Sequence, residues 1–137
     1  MQVTSALLVD EVVKHPDGRV DLLGLFEDVY VESVPVTLEA LTLFLDLEIA
    51  PEDRGRRHEL RLRLVDADGR PASPDQPPLV VSFDLPSLAE YPNRSAQIDL
   101  DFPNATFHRF GPHAIEIVAD GQLVRRLHLR LQPRDDK

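Results

Sequence analysis

Carboxylates are the side chains best placed to do chemistry in this sequence. Asp66-Ala67-Asp68-Gly69 has the opening of a calcium-binding loop, two acidic residues two positions apart followed by a glycine. Such a loop also needs later oxygen ligands and a closing glutamate. The next residues are Arg70-Pro71-Ala72-Ser73-Pro74 instead, so a turn is the preferred reading. Asp99 and Asp101 share one face if their segment is a strand, and could work as acid and base with Asp84 or Glu116. Glycosidic cleavage asks for two carboxylates about 5 to 10 Å apart. It generally asks for aromatic sugar platforms too, and the chain has no tryptophan and two tyrosines, Tyr30 and Tyr91. A solvated strand face is the better account of this pair.

Other catalytic constellations are missing from the sequence. The histidines at 15, 58, 108, 113 and 128 show no spacing that would hold a metal on one element. Ser5, Ser33, Ser73, Ser82, Ser87 and Ser95 include no nucleophile elbow, and there is no phosphate-binding glycine loop. With no cysteine, thiolate nucleophiles and cysteine-held metals are excluded, as are disulfides. A net charge of −9 opposes phosphate backbones and anionic lipid, so neither nucleic acid nor membrane is expected as a partner. No cofactor is expected either.

The elements that would carry these residues read as strands. Asp-Gly occurs at 17–18, 68–69 and 120–121. Glycine takes a positive φ without steric cost, and aspartate tolerates it better than most, which suits tight hairpins. Gly18, Gly69 and Gly121 are therefore expected to be structural. In His58–Val65 the row Leu60, Leu62, Leu64 faces inward and Glu59, Arg61, Arg63 outward. Ile98, Leu100 and Phe102 form a second inward row, and Leu127, Leu129 and Leu131 a third. Leu38–Ala50 fits a strand from about residue 40, with a helical turn at its start as the alternative. Val3–Lys14 and Val20–Val31 read as the two long strands around the first turn, and Gly24 as a kink that lets the second curve. Prolines 71, 74, 77 and 78, then 86, 92, 103 and 112, mark loops.

One domain over residues 1–132 with a frayed tail at 133–137 is expected from a length of 137 residues. Seven or eight half-buried antiparallel strands without a long helix imply an all-β sandwich. No apolar run approaches the about 18 residues of a membrane helix, and the start lacks a signal-peptide pattern, so a cytoplasmic setting is expected.

The segment ALLVDEVVKHPDGRVDLLGLFEDVYV, with VPVTLEALTLFLDLEI after it, resembles the opening of a family of small uncharacterised bacterial proteins, a domain of unknown function. Asp10, Asp17-Gly18 and Leu22-Leu23-Gly24-Leu25-Phe26 carry the likeness, and QIDLDFPNATFHRFGPHAIEIVADGQLV is similar to its closing pattern. The resemblance implies an immunoglobulin-like sandwich and no catalytic residue. Where that family tends to have tyrosine after a glycine, this chain has Gly111-Pro112-His113. His113 is accordingly expected to anchor a corner by bonding to backbone.

The functional expectation is a non-catalytic binding or structural module with an unidentified protein partner or a second copy of itself. Phe107, Arg109 and Phe110, after Pro103-Asn104, are the candidate interaction residues on a loop, with packing of the two phenylalanines into the core as the competing role. Outward Arg61, Arg63, Arg126, His128 and Arg130 could meet Asp99, Asp101 and Glu116 either of a second copy, as a homodimer, or within one chain. The alternative function is an acidic ligand-binding or hydrolytic domain, weakly dependent on a divalent metal held by Asp66, Asp68, Asp99 and Asp101.

Overall fold

The computed structural model describes residues 1–134. It contains ten strands: β1 (Gln2–Val9), β2 (Glu11–Lys14), β3 (Val20–Leu23), β4 (Asp28–Val31), β5 (Val36–Glu48), β6 (Arg56–Asp66), β7 (Leu79–Leu85), β8 (Ser95–Phe107), β9 (Gly111–Ala119) and β10 (Gln122–Pro133). A single 3₁₀ turn, Pro51–Asp53, joins β5 to β6. The protein is all-β. The strands form a three-stranded sheet β1-β5-β8, a five-stranded sheet β4-β10-β9-β6-β7 and the hairpin β2-β3.

Alternation builds the core. Leu41, Leu43, Leu45 and Leu47 of β5, with Phe102, Ala105 and Phe107 of β8, belong to one buried cluster with Leu60, Leu62 and Leu64 of β6, Ile115 and Ile117 of β9, and Leu129 and Leu131 of β10. Burying a leucine-sized side chain stabilises by about 1.5 to 3 kcal/mol, so this shared cluster is what holds the two sheets together. On the outer side of the small sheet Phe44 is also buried. The β2-β3 hairpin shelters it: Lys14 reaches Asp99 on β8 at 2.6 Å, and a groove between them is lined by Lys14, His15, Arg19, Phe44 and Asp99.

Several expectations are corrected. There are ten strands because both long N-terminal segments are broken, at Asp10 and at Gly24. Gly24 is not a kink in one strand. It has φ +69°, and it ends β3 so that the chain can leave the β1 side and supply β4 to the other sheet. The fold is not wholly antiparallel, since β4 runs parallel to β10 with Val29 beside Leu131. No helical turn precedes Leu41: the strand starts at Val36, which pairs with Phe107. Pro103 and Pro112 lie inside β8 and β9 rather than in loops. For Pro103 this is tolerated because β8 is an edge strand, where a missing N–H breaks no ladder on the outer side. Of the tail 133–137, Pro133 still pairs with Val31 and the Arg134 amide donates to the Val31 carbonyl, while 135–137 lie outside the described residues.

Candidate functional site

The Asp-Gly turns come first because they position the acidic residues. At 120–121, Asp120 (φ +49°) and Gly121 (φ +84°) form the two-residue reversal from β9 into β10. At 68–69 the chain reverses after β6: Asp66 Oδ1 accepts the amides of Asp68 and Arg70, and the Gly69 amide donates to the Asp66 carbonyl. Burial pushes the Asp66 carboxyl up, but those two backbone N–H donors, with the charges of Arg109 and His113, hold the group below its ordinary value. Asp66 is therefore committed to its own turn. At 17–18, Gly18 (φ +92°) closes β2 onto β3, while Arg19 bonds to Asp17 and His15 to Asp21, both at 2.7 Å.

Asp99 and Asp101 project from β8 of the small sheet, whereas Asp66 and Asp68 close β6 of the large one. The four residues of the metal alternative thus lie on different sheets. Asp99 is engaged by Lys14, and Asp101 accepts from Thr42 Oγ1 at 2.8 Å. Among the described residues no three His, Asp or Glu side chains converge on a point that would hold a metal.

Phe107 is corrected as an interaction residue. It is the last residue of β8 and fully buried, because Phe102, Ala105 and Phe107 all face the core. Its ring meets His113 edge-on, with centroids 4.9 Å apart. His113 is buried and its Nδ1 lies 3.0 Å from the Gly111 carbonyl, so the imidazole fastens this corner to backbone. Arg109 and Phe110 remain exposed beyond the strand, with Arg109 3.9 Å from Asp68. Several of the outward charges meet within the chain. Glu116, nearly buried in the middle of the large sheet, takes Arg63 from β6 at 3.2 Å and Arg126 from β10 at 3.1 Å. Arg130 forks onto Asp28, whose carboxyl is lowered by Gln132 and by that guanidinium.

A polar cluster at one end of the molecule has no counterpart among the residues that the sequence picks out. His58 continues the inward row of β6, and its imidazole is buried between two acceptors: Asp120 Oδ2 at 2.6 Å from Nδ1 and the Asp53 carbonyl at 2.6 Å from Nε2. Asp53, on the 3₁₀ turn, accepts the Ala50 amide and lies 3.1 Å from the Met1 amino group. Burial pushes the carboxyls of Asp53 and Asp120 up. The amides of Ala50 and Glu59, with Met1 and His58, pull them back below the ordinary range. The phase of His58 with Leu60, Leu62 and Leu64 is the signal that could have marked it as an inward residue.

Some exposed apolar side chains lie elsewhere. Leu23, Leu25 and Tyr30, each about half exposed or more, fall within eight residues on either side of the crossing between sheets. A groove of about 560 Å³ is lined by Leu7, Leu25, Phe26, Tyr30 and Leu127, together with the acidic Glu27 and Asp28. It lies where β1 and β4, both edge strands, approach each other.

These features define a two-sheet β module whose candidate acidic residues serve turns and ion pairs. The chain belongs to a family of unknown function, DUF6941, whose model matches residues 4–132. Compared with the curated proteins and with the solved structures, the chain matches none. No helix among the described residues is long and apolar enough to cross a membrane.

Proposed function

We propose that this chain is a non-catalytic binding module of immunoglobulin-like type that associates with a second copy of itself through the face around Leu25 and Tyr30. The strand order supports the fold type. In such sandwiches a first strand can divide its length between both sheets, and here β1 edges one sheet while β4 pairs in parallel with the final strand of the other. The non-catalytic part rests on the engagement of Asp66, Asp99, Asp101 and Glu116 by backbone, hydroxyl or cation.

The exposed side chains of Leu25 and Tyr30, which line one groove, carry the binding reading. The second copy is argued from the edge next to it. Of the four edge strands of the two larger sheets, β4 carries Asp28, β7 carries Asp84, and β8 carries Asp99, Asp101 and Pro103. Charges and proline are the usual devices that keep an edge from pairing. β1, Gln2–Val9, has none of them. Its outer edge is capped by Arg125 at Val3 and by Phe26 at Leu8, and among the described residues Thr4 to Leu7 between those caps pair with no strand besides β5. A strand edge meets its own copy antiparallel across a two-fold axis, and the apolar patch would then be covered on both sides.

Light scattering after size exclusion over a wide concentration range tests this. The expected result is a dimer for the wild type and a monomer for Leu25→Asp/Tyr30→Asp, with unchanged far-ultraviolet circular dichroism. A monomeric wild type at all concentrations overturns self-association.

A further inference from the structure

A second groove, of about 650 Å³, opens at the end of the molecule that holds the 3₁₀ turn, and is lined by Ile49, Pro51, Arg54, Gly55, Leu88 and Arg94, with Ser87 at its rim. Its floor is apolar, and Leu88 stands 61% exposed above it. The only charged side chains in the lining are two guanidiniums. Neither Arg54 nor Arg94 has a carboxylate within ion-pair distance among the described residues, although the chain as a whole carries −9. Arg54 is fixed in place, since its Nη1 and Nη2 donate to the carbonyls of Tyr91 and Asn93 and staple the 87–94 loop over the groove. A guanidinium has five N–H donors, so three on Arg54 and five on Arg94 are left for an anion.

We propose that this groove binds a small amphiphilic carboxylate, an acyl chain ending in a carboxyl group, with the head between Arg54 and Arg94 and the tail along Ile49, Pro51 and Leu88. A peptide fits less well. Every lining residue lies outside the strands, so no ladder edge is offered to a second main chain. The amides of Ile49, Arg54 and Gly55 already donate to Arg94, Pro51 and Leu85 carbonyls, and Pro51 has none. What remains is two cations over an apolar bed, which recognises an anionic head and a hydrocarbon tail.

The test is calorimetric titration of the full chain with decanoate, decanol and a short peptide ending in leucine with a free carboxylate. Decanoate is expected to bind saturably at one site, decanol at least about tenfold more weakly, since a charge-assisted hydrogen bond is worth at least that factor. The peptide is expected not to bind. Arg94→Gln and Leu88→Ser should each weaken decanoate at least about tenfold and leave the melting temperature close to wild type, because Leu88 is largely exposed and the Arg94 side chain makes no hydrogen bond among the described residues. Arg54→Gln is a poorer probe because it also releases the loop. Equal binding of decanol, undiminished decanoate binding by Arg94→Gln and Leu88→Ser, preference for the peptide, or no saturable binding would each overturn the assignment.

Discussion

His58 and Asp120, 62 residues apart, meet at 2.6 Å, and the other nitrogen of the same imidazole meets the Asp53 carbonyl. A carboxylate and a carbonyl thus flank the two ring nitrogens. The imidazole therefore ties the β9–β10 turn and the 3₁₀ turn to β6 from within the core. His58→Leu is expected to destabilise by about 1 to 3 kcal/mol, the cost of leaving a buried acceptor unmet. Urea unfolding measures this, and an unchanged midpoint would show that the tie contributes nothing.

The acid side of the stability profile is set by Asp28, Asp53, Asp66 and Asp120. Each carboxyl is held below its ordinary value when folded. Their stabilisation is fully present above the unfolded value of about 3.9 and is lost as pH falls through the folded values. Melting temperature should drop steeply below about pH 4, and Asp120→Asn should flatten that drop. A variant profile parallel to wild type through this range would remove Asp120 from the account.

Gly24 combines a left-handed φ with a close neighbour. A Cβ built there lies 2.6 Å from Asp10 Cγ and 2.9 Å from Asp10 Cβ. Gly24→Val is expected to cost about 1 to 3 kcal/mol from strain and displacement of Asp10. In an Asp10→Ala background the part due to the carboxyl should vanish, while the contact with the remaining Cβ and the backbone part persist. Thermal melts of the four proteins form the cycle, and equal costs in both backgrounds would refute the contact.

Phe107 and Phe110 separate core from surface within one short segment. Phe107→Ala should cost about 3 to 5 kcal/mol. Phe110→Ala should stay within about 0.5 kcal/mol. Chemical denaturation of the two variants decides it, and similar losses would mean that Phe110 also packs inward.

The sequence is most legible where one periodicity governs, as in Leu60, Leu62 and Leu64 or in the hairpin around Asp120-Gly121. It is least legible where the chain changes sheet. Nothing in a local pattern says that Val29 will lie beside Leu131, because such a pairing is decided by which edge remains open after the core has packed. The same holds for the candidate sites. Asp66 and Asp99 look alike as residue types, yet they occupy separate sheets, and Phe107 looks like loop display although it continues the inward phase of Ala105. Leu25 and Tyr30 give no signal on their own, because single apolar residues in a strand-like run are ordinary until their neighbours are placed.

The position of β10 between β4 and β9 has a consequence for synthesis. It is the last of the ten strands to leave the ribosome, and until it does β4 has no strand to lie against and β9 keeps one flank open. The nascent chain can assemble β1-β5-β8 and β9-β6-β7 early, but their shared interior stays unsealed on the β10 side. Chaperone binding is therefore expected to persist through translation of residues 122–133 and to end with the insertion of that strand.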